Sequence, residues 1–366
     1  MSVLPTPKST LSDRAAEVLA QAIAAGRLGA VLPPERTLCQ MLGVSRPVLR
    51  EALQVLERKN VVFRPGRGQP RRTVAEPEQG ARARRFDRVV FLSPLPFHQM
   101  SSFALLVLQE LRVQLAESGL ELVHLDSAAF KRRRPEPVLR DLLAATPQAL
   151  WLLYRSTRPM QEWFAANGGA AAVVGSTFSD LSLPYVKLDM KALGHHAVSL
   201  LLARGHQTGR MVFVTTAPNL AGTAEFLDGA AGATPGGAAP VKVLSYAPGD
   251  PSDFRRRLVR LRANATRPTA YLLQRAEDAI TCLSVMHSLG ARIPDEASAL
   301  VLEDDPVLDH VYPAMDRYRI SSRQFSRRIA RMILGLQSGN QRNILNGASL
   351  VPEWIHGGTL SVPTMA

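Results

Sequence analysis

The chain has 366 residues, 46% hydrophobic and 20% charged, which excludes a disordered or fibrous protein and leaves room for two domains and a large core. Its formal charge of +13 is uneven: fifteen Lys and Arg stand against seven Asp and Glu before residue 87, and 29 against 24 afterwards, so the basic excess sits where a nucleic-acid-binding end would lie. The two cysteines, Cys39 and Cys282, are far apart and outside any CxxC, which argues against a disulfide framework or a zinc site. No apolar run resembles a signal peptide or spans a membrane, so a cytoplasmic protein without a membrane partner is expected.

Met1 to Thr10 reads as a tail. Ser12 can cap a first helix that runs to about Ala25, with Ala15, Val18, Leu19, Ala22 and Ile23 as its buried face and Gly26 as its end. A short helix fits Pro34 to Leu42, with Leu38, Met41 and Leu42 inward. Gly43 is placed to take the left-handed conformation that ends it. Ser45 then caps a third helix whose first turn holds Arg46, Pro47 and Arg50. Proline costs little there, because first-turn N–H groups have no intrahelical acceptor. Leu49, Ala52, Leu53 and Leu56 make one apolar face, and Arg46 and Arg50, four apart, are neighbours on another. Two helices joined by a tight turn, the second presenting arginines, are a helix-turn-helix. Val61 to Arg64 and Arg71 to Val74 read as a hairpin whose turn, Pro65-Gly66-Arg67-Gly68, lifts Arg67 at its tip. Glu76 to Phe86 has no apolar period and reads as a linker, which bounds a DNA-binding domain at 1–75 and a second domain at 87–363.

From Arg88 the pattern alternates between strands and helices. Apolar runs mark strands at Val89–Leu92, Leu120–Leu125, Ala149–Leu153 and Ala171–Val174, with a helix from Met100 to Ser118 whose inner side is Phe103, Leu106, Val107, Leu111 and Leu115. The pattern then restarts with a strand at Tyr185–Leu188 and a helix from Lys191 to Arg204. Further strands follow at Met211–Val214, Val241–Leu244, Ala270–Leu273 and Ala299–Leu302. This βαβ repetition predicts two successive α/β lobes with mostly parallel sheets and a ligand cleft between them. Ligands bind beyond the carboxyl ends of such strands. That rule picks out Phe97, His98, Arg155, Ser156, Ser176, Thr177, Asn219, Arg275, Glu277, Asp278 and Asp304. The chain has no GxxxxGK, GxSxG or HExxH motif and no GxGxxG after a strand, so it does not read as an enzyme, and no cofactor or metal is expected.

About Leu11 to Val74 resembles the winged helix-turn-helix of the GntR family of bacterial transcription regulators. The residues that carry the likeness are Ala25-Gly26-Arg27-Leu28, Leu32-Pro33-Pro34-Glu35-Arg36, Leu42-Gly43-Val44-Ser45-Arg46, Leu49-Arg50-Glu51-Ala52-Leu53, Leu56-Glu57 and Gly66-Arg67-Gly68. The resemblance implies contact with operator DNA by Arg36, Ser45, Arg46, Pro47, Arg50, Gly66 and Arg67. Two residues depart from the pattern. Pro34 stands where a small polar residue is usual, and Pro47 where Thr or Ser contacts DNA, so Pro47 can touch a thymine methyl but cannot donate a hydrogen bond there.

About Asp87 to Pro363 is similar to the LacI-type effector domain, which has the shape of a periplasmic sugar-binding protein. Its anchors include Val186-Lys187-Leu188-Asp189, Phe226-Leu227-Asp228-Gly229, Glu277-Asp278-Ala279 and Glu303-Asp304-Asp305-Pro306. Phe226 stands where many sugar-responsive members carry an arginine, and Met190 replaces a usual Asn. With the strand-end residues, the resemblance implies an effector site containing Phe97, His98, Arg155, Ser176, Phe226, Arg275, Asp278 and Asp304. The expected whole is a regulator that binds an inverted-repeat operator as a homodimer, with a sugar or related metabolite in the cleft. A regulator with an idle pocket and an α/β enzyme are the alternatives.

Overall fold

The computed structural model describes residues 11–24, 28, 32–58, 61–63, 71–73, 86–167, 169–236, 238–264, 266–338 and 347–363. The chain divides into two units, Met1–Arg82 and Ala83–Ala366.

The first unit holds α1 (Leu11–Ala24), α2 (Glu35–Leu42), α3 (Arg46–Arg58), β1 (Val62–Phe63) and β2 (Arg72–Thr73). The strands pair antiparallel, Val62 opposite Thr73 and Phe63 opposite Arg72. Gly43 sits at φ +64°, a conformation costly for other residues, and there it closes α2 with its N–H on Cys39 O. Leu49, Ala52, Leu53 and Leu56 of α3 are all at or below 1% exposure and pack with Ala15, Leu19, Leu38 and Val62. Three core assignments are corrected. Val18 is 52% exposed, Met41 62% and, in the second unit, Leu106 44%. Each lies at the edge of its helix's apolar stripe, where a small change in helix rotation moves it from core to surface. The tip of the hairpin, with Gly66 and Arg67, lies outside the described residues.

The second unit has two six-stranded sheets. The first sheet runs β13 (Ala348–Leu350), β7 (Tyr185–Leu188), β6 (Ala171–Val174), β5 (Ala149–Tyr154), β3 (Arg88–Ser93), β4 (Glu121–Asp126), and every pairing is parallel. The second runs β14 (Glu353–Ile355), β12 (Asp316–Arg319), β11 (Ser298–Val301), β10 (Ala270–Leu273), β8 (Met211–Thr215), β9 (Lys242–Ser245), with β14 alone antiparallel. Helices cover both faces of each sheet, so successive residues of one strand enter opposite cores. In β3, Val89 and Phe91 pack toward α4 (Ser102–Ala116) and α11 (Ser322–Ser338). Val90 and Leu92 pack toward α5 (Glu136–Ala145) and α6 (Arg158–Ala166). In β8, Met211 and Phe213 meet α7 (Met190–Leu202) and α8 (Ala221–Ala233), while Val212 and Val214 meet α9 (Pro251–Ala263) and α10 (Ala276–Ser288). The α7–α8 crossing is very close. A Cβ on Gly194 would lie 2.1 Å from Phe226 O, and one on Gly229 1.9 Å from Lys191 O.

The lobes are not successive, which corrects the sequence reading. β7 closes on β6 of the first sheet, with Val173 opposite Tyr185, instead of opening the second lobe. The chain changes lobe between β7 and α7, between β12 and α11, and between β13 and β14. Neighbouring crossings are stitched together where Asp189 N–H donates to Leu350 O at 2.8 Å. Asp189 also caps α7, its carboxylate accepting from Ala192 N–H at 2.9 Å.

Candidate functional sites in the helix pair and the cleft

On the first unit, Arg36, Ser45, Arg46, Pro47 and Arg50 are all exposed, the first at the start of α2 and the rest at the start of α3. Among the described residues nothing bonds the side chain of Arg36 or Arg46. Arg50 Nε donates to Glu35 at 3.2 Å, yet its side chain stays 66% exposed. A contact of that kind contributes about 0–1 kcal/mol and gives way easily to another anion. Behind this face lies a clamp that the sequence did not disclose. Arg71, 12% exposed, donates to Glu35 at 2.8 Å and to Glu57 at 2.7 Å, tying α2 to the end of α3. Burial alone would raise the Glu35 carboxyl, but Arg71 and Arg50 outweigh it and hold that group below its ordinary value.

In the second unit a cavity of about 220 Å³ opens beyond the carboxyl ends of β5, β6, β7, β10 and β11. Arg155, Ser176, Arg275 and Asp304, all expected there, line it. Arg155 has φ +50°, the one non-glycine in that region among the described residues. Such a backbone costs about 1–2 kcal/mol, and here it turns the guanidinium across the cleft to donate to Thr216 Oγ1 at 2.9 Å. Ser176 donates to Glu225 at 2.8 Å, and Lys187 Nζ meets the other oxygen of the same carboxylate at 2.6 Å, so a second bridge joins the lobes. Arg275 is turned onto Glu277, with Nη2 at 2.7 Å. Asp304 accepts from Arg317 and Arg319, each at 2.6 Å.

Of the expected residues, Phe97, His98, Thr177, Asn219, Phe226, Glu277 and Asp278 do not line the cavity. Phe97 and His98 sit on one turn of 3-10 helix that swings them outward, Phe97 being 52% exposed and edge-on to His124. Phe226 is fully buried, stacked on Phe213 at 4.3 Å, because its side of α8 faces the sheet while the preceding Glu225 turns to Lys187. Asp278 is 1% exposed and accepts from the Tyr246 hydroxyl, and burial pushes its carboxyl up to about 6.

The cavity also holds Glu303, which follows β11 beside Asp304 and is absent from the residues expected there. Burial pushes its carboxyl up to about 7, and Glu277 adds to this. A hydrogen bond from Ser101 and the charges of Arg275 and Arg155 oppose the rise. Around these groups the walls are apolar: Phe91, Phe103, Tyr154, Leu188, Leu302 and Phe325 all face the space.

Residues 11–69 match the model of bacterial regulatory proteins of the gntR family, and residues 202–360 that of the periplasmic binding protein-like domain. The chain carries a gntR-family head and a periplasmic-binding-protein-like body. It is a transcriptional regulator with a DNA-binding domain and an effector-type domain. The fold of the body recurs in a LacI family transcriptional regulator from Bifidobacterium animalis subsp. lactis. That match has 18% identity and a TM-score of 0.61, over 77% of this chain and all of the other. It recurs in the CelR–cellobiose complex, a transcriptional regulator, with 16% identity and a TM-score of 0.63 over 89% and 99% of the two chains. A periplasmic binding protein/LacI transcriptional regulator from Alkaliphilus metalliredigens complexed with D-xylulofuranose matches at 12% identity and a TM-score of 0.59, over 75% and 99%. No curated protein matches the chain in sequence. No helix among the described residues is long and apolar enough to cross a membrane.

Proposed function

We propose that this regulator binds an inverted-repeat operator as a homodimer, and that a small molecule in the cleft of its body changes its affinity for DNA. What carries the reading is the pairing, in one chain, of a gntR-type head having exposed Arg36, Arg46 and Arg50 with a body whose two lobes meet at an open, charge-bearing cavity. Arginine reads guanine bidentately in the major groove, and one head covers too few bases for specificity, hence the dimer. The tip residues Gly66 and Arg67 would reach the backbone or the minor groove, and Arg36 the phosphates. The domain limits that serve this reading are 1–75 for the head, 76–86 for the linker and 87–363 for the body. A ligand that closes the lobes acts only through a difference in its affinity for the two arrangements of the body. Related folds crystallised with cellobiose and xylulofuranose make a sugar the first class to test.

The test is selection of bound fragments from the source genome by the purified full chain, followed by footprinting on the recovered sites with and without metabolite extract. A protected inverted repeat whose occupancy changes with extract is the expected result. Equal retention of random duplex at moderate salt overturns the reading.

A further inference from the structure

The unpaired charge of the cleft is confined to one corner. Asp304 has an arginine on each oxygen, Ser176 donates to Glu225, and Gln274 accepts from Thr215 at 2.6 Å. Arg275 is held by Glu277. Two groups remain incompletely matched. Arg155 bonds only hydroxyls, those of Thr216 and Tyr154, and has no carboxylate within ion-pair distance among the described residues. Glu303 has the Ser101 hydroxyl as its hydrogen-bond partner. Ser156 accepts from Gln161, Thr223 donates to Ala217 O and the Tyr318 hydroxyl meets His196, while most of the remaining wall is aromatic or aliphatic, and the volume, about 220 Å³, lies below the ~300–1,000 Å³ of pockets for drug-sized ligands.

A sugar carries hydroxyls on every edge, and each one buried against Phe91, Phe103, Leu188 or Phe325 would lose its water without a replacement. A compact hydrocarbon with one charged end meets no such penalty. The sign of that end follows from the local charge. Arg155 is uncompensated, Arg275 and Glu277 cancel, and Asp304 and Asp309 balance Arg317 and Arg319. We infer that the cleft takes a small apolar carboxylate, a ring or branched chain bearing one carboxylate group, seated on Arg155 with the Glu303 carboxyl beside it. This rests on the proposed function only in requiring that the cleft be a ligand site.

The neighbouring carboxyl then acts as a proton gate. Beside a bound anion Glu303 must be protonated, and as an acid it donates a hydrogen bond to the ligand. The charged groups that face it are Arg155 after β5 and Arg275 and Glu277 at the start of α10, with Ser101 at the start of α4 as its hydrogen-bonding neighbour. Next along the chain, Asp304 is already neutralised from β12. With Glu303 at about 7, the competent fraction falls about tenfold between pH 6 and pH 8, and the affinity for a carboxylate falls with it.

Titration calorimetry and thermal shift on the full chain at pH 6 and pH 8 test this. The probes are benzoate, phenylacetate and 4-methylpentanoate, with benzamide, benzylamine, cellobiose and xylose for contrast. At least one carboxylate should bind, about tenfold more weakly at pH 8, and benzamide should not. Arg155→Gln should lose the binding, while Glu303→Gln, a permanent donor of the same shape, should keep it and abolish its pH dependence. Unchanged circular dichroism shows that each variant folds. Failure of all three carboxylates overturns the inference, as does binding of benzylamine that strengthens with rising pH. If a sugar binds instead and Arg155→Gln weakens it, the ligand class is wrong but the cleft remains an effector site. If neither the probes nor metabolite extract bind, the effector reading itself falls.

Discussion

The arginines of the head and those of the body work under opposite conditions. Arg36, Arg46 and Arg50 project into water, and Arg50 alone among them has a carboxylate, which it meets while still 66% exposed. Arg317 is 7% exposed and held by two acids, Asp304 at 2.6 Å and Asp309 at 2.5 Å. An exposed guanidinium costs nothing to leave unmatched and is available to a polyanion that arrives later. A buried one must find its partners within the fold. The exposed arginines at the start of α2 and α3 are therefore open to another molecule, whereas Arg71 in the head and Arg317 in the body hold a shape.

Several measurements can break or sharpen that contrast. The largest effect should come from salt. Two heads offering Arg36, Arg46, Arg50 and Arg67 would neutralise several phosphates, and operator affinity should fall by about 10³ or more between 50 and 200 mM salt. Thermal stability of the body should hardly move over that range, and a slope near zero for DNA would mean that the head arginines are not the contacts. Next in size, Arg317→Met should cost the body roughly 3 kcal/mol, seen as a lower urea midpoint. That is the low end for breaking a buried pair, because Arg319 still holds Asp304. An unchanged midpoint would show the Arg317 pair to be dispensable. Arg46→Ala should cost about 1–3 kcal/mol of discrimination between operator and random duplex, with folding intact. The smallest effect is expected at Glu35. Its carboxyl lies below its ordinary value of 4.5, so the stability it contributes is complete above that pH and is lost as the pH drops through the depressed value. Glu35→Gln should cost the head about 1 kcal/mol at pH 7 and flatten its acid-unfolding curve below pH 4.5, as read by circular dichroism.

How legible each part was in the sequence follows the same physics. Strands such as Val89–Leu92 and Ala270–Leu273 stand out because a parallel strand buried on both faces is a continuous apolar run. β12 was invisible because its residues, Asp316-Arg317-Tyr318-Arg319, look like a solvated turn. The polarity of that strand is answered only in three dimensions, Asp316 by Thr359 N–H at 3.0 Å and Arg317 by Asp304 and Asp309. The edge strands β13 and β14 are three residues each, too short to show a period. In the cleft, the strand-end rule found Arg155, Ser176, Arg275 and Asp304, since those positions follow directly from topology. It failed at Phe97, and the family resemblance failed at Phe226, where the direction of one side chain depends on a turn of 3-10 helix or a helix's rotation. It could not suggest the Lys187–Glu225 bridge, whose members lie 38 residues apart on different lobes.

The exchange of strands between lobes bears on how the body is made. Until residues 322–355 leave the ribosome, the first sheet lacks its edge strand β13 and the covering helix α11, and the second lacks β14. The apolar faces of β3 and β5 that receive Phe325, Ile329 and Ile333 stay incompletely covered until a helix is made that follows β12 in the chain. A nascent body of this design stays open to off-pathway association until α11, β13 and β14 have followed β12 out, and neither lobe is complete before then.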